Sequence, residues 1–377
     1  MKTSDLATEP TPKLMIPGPV DVDESVLEAM SRRVPAHYGP EWTALYRETT
    51  DHLKRVFQTD GDVLLLVSSG SGGLDAAICS VLGPGDKAIV VVNGFFGARL
   101  AEIAQSRGVE AVLVTAPWGR AVDVDEVRST LSKTAGATAL LVVHHETSTG
   151  IVNPIKEIGE VAHQFGAFFI VDAVSSLAGE PLAMDEWGID VCVAASQKCL
   201  EAPPGLAPVA VGLRGWQTMD TNQRYPAGWY LNLRTWRRYA EEWADWHPYP
   251  ITMATPTVLA LRAALACLET EGLEGRMKRY RAASEVIRGG LRNLGLRLSG
   301  DLERCSSTIT VVDRPSGVEV SDMIRYLKRE WGIWIAGGLG ETAGQIFRVG
   351  HMGRASSECY VDCFLSAMAD YLENRPQ

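Results

Sequence analysis

The chain has 377 residues, of which 46% are hydrophobic and 22% charged, and its formal net charge is −10 at pH 7. This composition is that of a globular protein and excludes a disordered chain. The acidic balance argues against nonspecific binding to nucleic acid or anionic lipid, so neither partner is expected. The length exceeds what one hydrophobic core usually serves, which predicts two domains or one large domain with an appendage.

Cysteine usage and the N-terminal residues indicate the compartment. The seven cysteines are scattered, odd in number and never spaced as C-x-x-C, which is typical of reduced thiols and predicts no metal site. The opening residues MKTSDLATEPTPK lack the basic start and apolar run of a secretory signal, and no segment is apolar enough to cross a bilayer. We therefore expect a cytoplasmic protein without a membrane partner.

Short apolar, β-branched runs alternate with helical patterns over the first half of the chain. The runs are VLLLV at 63–67, AIVVV at 88–92, AVLV at 111–114, ALLVV at 139–143, AFFIV at 167–171, VCVAA at 191–195 and PVAVG at 208–212. This alternation predicts an α/β fold with a mostly parallel, seven-stranded sheet covered by helices on both faces.

The pattern changes after residue 212. A polar stretch at 224–256, aromatic-rich over 225–249, is interpreted as a connector. A helical run covers 258–294, strands are predicted at 308–312 and 346–349, and a last helix covers 357–372. We predict an N-terminal arm over 1–20, a large α/β domain over 21–257 and a small α+β domain over 258–377.

A Gly/Ser-rich segment, SSGSGG at 68–73, directly follows the first apolar run and precedes a helical pattern over 74–82. Backbone N–H groups at a helix N-terminus bind anions, but an ordinary strand-to-helix turn explains the motif equally well by itself. The segment lacks both the G-x-G-x-x-G and the G-K-[ST] spacings, which favours a single phosphate monoester as the anion.

Two charged residues follow neighbouring apolar runs. Asp172 ends AFFIVD, where a buried carboxylate needs a cation or a hydrogen-bond donor; the commoner role of such an aspartate is a helix cap. Lys198 follows VCVAASQ among small and apolar residues, where desolvation would lower its pKa and yield a nucleophilic amine. Since ligands of open α/β sheets gather at the carboxyl ends of strands, the two predict a shared site.

Six motifs resemble those of the class V aminotransferases, with the alanine–glyoxylate and serine–glyoxylate group the most similar. They are PGP at 17–19, SSGSGG at 68–73, HHETSTG at 144–150, VDAVSS at 171–176, SQKCLEAPPG at 196–205 and FRVGHMG at 347–353. The resemblance implies the fold type I of transferases that depend on pyridoxal phosphate (PLP), and a homodimer with shared active sites.

The resemblance also implies a role for individual residues. Lys198 forms the Schiff base with PLP and acts as general base, while Asp172 pairs with the pyridine nitrogen. Arg348 binds the substrate carboxylate, for which a planar guanidinium is well suited. The other cofactor contacts implied are Ser69, Gly70 and Ser71 at the phosphate, Phe96 and Val174 at the ring faces, Thr147 at the phenolic oxygen, Gln197 beside the ring, and Tyr249 and Thr252 reaching the phosphate of the neighbouring subunit.

The activity implied is a ping-pong transamination from a small amino acid, alanine or serine, to a 2-oxo acid, glyoxylate or pyruvate. One alternative is an aminotransferase for an unusual amine, such as aminoethylphosphonate or pyridoxamine. A cysteine desulfurase is a further alternative, for which Cys305 is the candidate thiol. A binding protein without activity would leave Lys198, Asp172 and Arg348 without a purpose. His37 and Tyr38 are candidates for contacts with the partner's site.

Overall fold

The computed structural model describes residues 12–221 and 228–374. The strands are β1 Lys13–Leu14, β2 Asp62–Val67, β3 Lys87–Val92, β4 Glu110–Thr115, β5 Ala137–Val143, β6 His145–Glu146, β7 Ile151–Val152, β8 Phe168–Asp172, β9 Val191–Val193, β10 Leu206–Val211, β11 Ile309–Asp313, β12 Ile333–Trp334, β13 Ala336–Gly337 and β14 Ile346–Gly350. The helices are α1 Glu24–Met30, α2 Pro40–Phe57, α3 Gly70–Val81, α4 Phe95–Ser106, α5 Val124–Lys133, α6 Ile155–Gln164, α7 Leu213–Thr221, α8 Leu233–Glu242, α9 Thr255–Glu271, α10 Leu273–Asn293, α11 Val320–Trp331 and α12 Glu358–Asn374.

Seven strands form one sheet in the order β2-β10-β9-β8-β5-β3-β4. Strand β10 runs antiparallel to both of its neighbours, and the remaining neighbouring pairs are parallel. The predicted mostly parallel sheet of seven strands is confirmed. Because five strands therefore end at the same edge as β8, the residues that follow β2, β5, β8 and β9 meet there.

Two helical predictions differ from the structure in their bounds. The run predicted over 258–294 is two helices, α9 and α10, separated at Gly272, whose φ of 77° is a left-handed value that favours glycine. Helix α3 begins at Gly70, four residues before the predicted start, and Ser69 caps it by accepting a hydrogen bond from the Gly72 N–H at 3.3 Å. The Gly/Ser motif is thus the first turn of the helix.

The buried apolar side chains form two clusters. The larger one packs around the seven-stranded sheet, and the smaller one lies between α10, α11, α12 and the C-terminal strands. Helix α9 contributes Val258, Leu261 and Leu265 to the larger cluster, and Met15 from the arm joins the smaller one. The domain bounds at 20 and 257 stay a prediction. Across the described residues, no helix combines the length and apolar character needed to span a bilayer.

Candidate active site

A cavity of about 200 Å³ lies at the carboxyl edge of the sheet. It is lined by eight residues that the sequence singled out, namely Ser69, Gly70, Ser71, Phe96, Asp172, Val174, Gln197 and Lys198. These residues come from four separate segments of the chain, after β2, β3, β8 and β9. The amine of Lys198 and the carboxylate of Asp172 therefore face one space, as the hypothesis of a shared site requires.

The N-terminus of α3 forms one wall of this cavity. A Cβ on Gly70 would lie 2.6 Å from Cγ2 of Val174, and one on Gly72 would lie 1.9 Å from Oγ of Ser68. Only glycine lets the first turn approach its neighbours this closely. The first turn carries no acidic residue, which leaves the positive end of the helix dipole available to an anion.

Asp172 is the last residue of β8, and only 5% of its surface is exposed. Burial raises the pKa of its carboxyl to about 7, and the Val174 N–H, which donates to Oδ1 at 2.9 Å, partly opposes that rise. The nearby carboxylate of Glu146 raises the pKa further. A cationic donor bound in the cavity would favour the ionised form of Asp172.

The pKa of Lys198 is shifted downwards, in the opposite direction to that of Asp172. Burial lowers the pKa of its amine to about 8, and the charge of Arg348 acts in the same direction. Its Nζ donates a hydrogen bond to the carbonyl of Pro17. Gly18 covers the amine so closely that a Cβ there would lie 2.6 Å from Nζ, and its φ is 111°. The PGP segment of the arm is therefore part of the site.

Phe96 is held at the cavity by the first turn of α4. The buried carboxylate of Glu146 accepts hydrogen bonds from the N–H groups of Phe96 at 2.9 Å and Gly97 at 3.0 Å, and from Ser148. Burial raises the pKa of Glu146, and these donors offset part of the rise. The guanidinium of Arg99, one turn further on, lies 5.2 Å from the centre of the Phe96 ring.

Arg348, in β14, and Thr147 adjoin this region but are not among the residues that line the cavity. Arg348 is 5% exposed; its Nε donates to the Gly337 carbonyl at 2.8 Å and its Nη1 to the Thr147 carbonyl at 3.1 Å. Burial lowers the pKa of the guanidinium to about 10, so it remains charged at neutral pH. These two carbonyls fix the plane of the guanidinium.

Five lining residues were not predicted: Leu74, Arg99, Val143, His145 and Ser175. His145 lies in the HHETSTG motif, which begins immediately beyond the end of β5. Both the motif and its position after an apolar run were signals in the sequence that could have identified this residue. It is 2% exposed and its Nε2 has no hydrogen-bond partner among the described residues. Burial lowers the pKa of this imidazole to about 3, which makes it neutral.

Tyr249 and Thr252 are not brought to this cavity within one protomer. Tyr249 is fully buried, and its hydroxyl accepts from the Trp42 indole and donates to the His37 carbonyl. His37 also hydrogen-bonds His247, with 2.9 Å between Nδ1 and Nε2. Of the aromatic stretch at 225–249, residues 225–227 lie outside the described part of the chain. The contacts of Tyr249 and Thr252 with a neighbouring subunit stay a prediction.

Cys305 is not among the residues that line this cavity. Its thiol donates to the Leu302 carbonyl at 2.9 Å, and its backbone forms a bridge with Ile151. A desulfurase needs a thiol that reaches the cofactor, so this position gives that alternative no support.

Comparison with known proteins agrees with the geometry. The sequence profile of the family Aminotransferase class-V matches residues 25–363. The chain belongs to the class V aminotransferases. It is therefore a transaminase by family, as the six motifs indicated.

Individual relatives cover nearly the whole chain. An uncharacterized aminotransferase of Methanocaldococcus jannaschii is 40% identical over 90% of this chain and 87% of its own. Two solved structures each reach a TM-score of 0.92 at 32% identity: the ureidoglycine–glyoxylate aminotransferase of Bacillus subtilis, covering 98% of this chain and 95% of its own, and the alanine–glyoxylate aminotransferase of Nostoc sp., covering 99% of both.

The alternative of an unusual amine also has a relative. The structure of the pyridoxamine–pyruvate aminotransferase of Mesorhizobium loti is 28% identical, with a TM-score of 0.90 over 97% of this chain and 93% of its own. A cysteine desulfurase of Thermococcus onnurineus, at 15% identity and a TM-score of 0.74, shares the fold alone.

Proposed function

We propose that this class V aminotransferase depends on PLP and transfers the amino group of a small amino acid, alanine or serine, to a 2-oxo acid, with glyoxylate the preferred acceptor. The observation that carries the proposal is the single cavity shared by the Lys198 amine, the Asp172 carboxylate and the N-terminus of α3. Glyoxylate is preferred over pyruvate because relatives named for two different donors, alanine and ureidoglycine, are both named for glyoxylate.

The residues present fit PLP. Ser69, Gly70 and Ser71, at the N-terminus of α3, line the cavity and would hold the phosphate. Asp172 would pair with the protonated pyridine nitrogen, Phe96 and Val174 would contact the ring faces, and Thr147 would bind the phenolic oxygen. Gln197 has a buried Oε1 without a partner among the described residues, an atom that a bound ligand would satisfy.

The chain's own groups then have defined tasks. Arg348 binds the substrate carboxylate through paired hydrogen bonds and so orients the Cα–H bond. The Lys198 amine, whose pKa is lowered to about 8, accepts the Cα proton of the amino donor and, in the second half of the reaction, gives a proton to the Cα of the 2-oxo acid that is being converted. When bound, PLP supplies the conjugated electron sink that lets this C–H bond break.

The quaternary structure and compartment belong to the same proposal. Tyr249 and Thr252, which match the residues that reach a neighbouring phosphate, would complete the partner's site, so we infer an obligate homodimer. The acidic composition and scattered free cysteines support a cytoplasmic enzyme.

A panel of donors tests the proposal. Alanine, serine, ureidoglycine and pyridoxamine are each incubated with glyoxylate, and all except alanine also with pyruvate, and the keto or aldehyde product is measured. We expect product from alanine or serine with glyoxylate, and an absorbance band of bound PLP that is lost in Lys198→Ala. A protein that binds no PLP refutes the proposal. Turnover of pyridoxamine without bound PLP would instead establish the alternative suggested by the Mesorhizobium relative.

A further inference from the structure

A cluster of charged side chains contacts the turn that carries Lys198 and has no part in the function proposed above. Its members are Glu201, Glu271, Arg276, Arg279 and Tyr280. Each of the two carboxylates pairs with both guanidinium groups. The side chain of Arg276 is only 1% exposed and that of Glu201 13%. Charges this far from water are costly unless they are paired, so the cluster depends on all four ions.

Glu201 attaches residues 196–202, here called the Lys198 turn, to helix α10. Its Oε1 accepts hydrogen bonds from Nη2 of Arg279 at 2.8 Å and from the Tyr280 hydroxyl, and its Oε2 lies 3.4 Å from Nη2 of Arg276. Nη1 of Arg276 also donates to the Cys199 carbonyl at 3.2 Å. The Lys198 turn is therefore held at the residue that follows the lysine and again at Glu201.

The backbone of Glu201 has an unusual conformation that closes this turn. Its φ is 57°, a left-handed value that favours glycine and is unfavourable for a residue with a side chain. The Glu201 N–H donates to the Lys198 carbonyl at 2.9 Å, and the Ala202 N–H donates to the Ser196 carbonyl at 2.9 Å. Such a conformation persists where the surroundings fix it, and the contacts of the Glu201 carboxylate supply that constraint.

The same α10 side chains bind the segment that follows β14. Nη1 of Arg279 donates to the Gly353 carbonyl at 3.0 Å and to the Ser356 hydroxyl, and the Tyr280 hydroxyl accepts from the Gly353 N–H at 3.4 Å. Strand β14 carries Arg348 and ends at Gly350. The cluster therefore connects the Lys198 turn with the strand that carries the proposed carboxylate-binding arginine.

We propose that Glu201 is a positioning residue for Lys198: its carboxylate fixes the Lys198 turn to α10 and so holds the amine at the cavity in a set position relative to Arg348. This inference rests on the proposed role of Lys198. A small displacement of a group that transfers a proton slows the reaction strongly, since the reacting atoms must be aligned. Loss of the carboxylate would therefore slow turnover without removing the group that binds the substrate.

Glu271, the last residue of α9, provides a matched control. Its carboxylate binds the same two guanidinium groups, at 2.9 Å from Nε of Arg276 and 2.6 Å from Nε of Arg279. None of the hydrogen bonds of this carboxylate among the described residues reaches the Lys198 turn. Glu271→Gln thus removes the same charge from the same cluster and leaves the attachment of the turn in place.

Hydrogen–deuterium exchange of the full-length protein, freed of cofactor with hydroxylamine, tests the attachment. In Glu201→Gln we expect the amides of Glu201 and Ala202 to exchange about tenfold faster than in the wild type, because an amide NH2 cannot accept from Arg276 and the charge is lost. In the PLP-bound enzyme we expect kcat to fall about tenfold with KM for the amino donor within about twofold, because Arg348 keeps its bonds to the Gly337 and Thr147 carbonyls.

Two further variants separate positioning from stability. Glu271→Gln should lower the free energy of unfolding in urea as Glu201→Gln does, but keep the wild-type exchange and kcat. Glu201→Gly, which favours the left-handed backbone but lacks the carboxylate, should behave like Glu201→Gln, and it replaces that variant if the glutamine protein does not fold.

The inference is wrong if Glu201→Gln keeps the wild-type exchange or kcat, if Glu271→Gln changes both equally, or if Glu201→Gly matches the wild type. Wild-type protein that binds no PLP would count against the proposed function, whereas the exchange measurement needs no cofactor and tests the attachment by itself.

Discussion

Replacing Lys198 with methionine tests how strongly the fold is destabilised by an amine held in the cavity. The pKa of the amine is lowered from 10.5 to about 8 in the folded protein. At about 1.4 kcal/mol per pKa unit, a lowering of the pKa from 10.5 to about 8 destabilises the folded state by at most ~3.5 kcal/mol. The side chain is only partly buried, and water at the cavity mouth screens its charge, so we expect about 1 to 3 kcal/mol.

The sign of the pH dependence follows from the lowered pKa. The penalty is fully present below pH 8, where the amine is charged in both folded and unfolded chains. The destabilisation decreases as the pH rises from about 8, the pKa of the amine in the folded protein, towards 10.5, its pKa in the unfolded chain. At higher pH it is absent, because neither state then carries the charge. Lys198→Met should therefore be more stable than the wild type at pH 7, and most of this gain should be lost at pH 10.

Urea unfolding of the cofactor-free proteins at both pH values measures the effect. The gain in the free energy of unfolding at pH 7 is compared with the gain at pH 10, and their difference excludes the pH-independent contribution of the added apolar side chain. Lys278→Met, at an exposed position of α10, is the control and should show no such difference. A gain that is equal at the two pH values, or a loss at pH 7, would refute the argument that burial of this amine is costly.

Three further substitutions test other parts of the site. Arg348→Lys should raise KM for the amino acid at least about tenfold with a smaller change in kcat, because lysine cannot make paired hydrogen bonds to a carboxylate. A KM within twofold of the wild-type value in steady-state kinetics would contradict this. Asp172→Asn should lower kcat about 100-fold or more, because an amide does not stabilise a protonated pyridine nitrogen, while the circular dichroism spectrum is retained. A wild-type rate would disprove the pairing of Asp172 with the pyridine nitrogen. Gly18→Ala should slow the appearance of the bound-PLP absorbance band about tenfold, since its Cβ would lie 2.6 Å from Nζ of Lys198. An unchanged rate would show that the N-terminal arm moves to accommodate the added methyl group.

Much of the fold and part of the site follow from local sequence. Each of the seven strands contains a short apolar run, which is mostly buried in all of them except the edge strand β4, and burial on both faces of a sheet requires that composition. Asp172 and Lys198 could be placed at one edge because both follow such runs, and parallel strands end together. The Gly/Ser turn was recognisable because strand, turn and helix are adjacent in the chain.

Only the tertiary structure decided what depends on distant segments and on side-chain direction. Arg348 lies on a strand about 200 residues after Thr147, yet the two are hydrogen-bonded. The unpaired nitrogen of His145 becomes evident only when Ser306 and Thr308 are seen to occupy its other side. A periodic pattern predicts which element a residue belongs to, but the partners of a buried polar group are set by packing between elements, which no local pattern encodes.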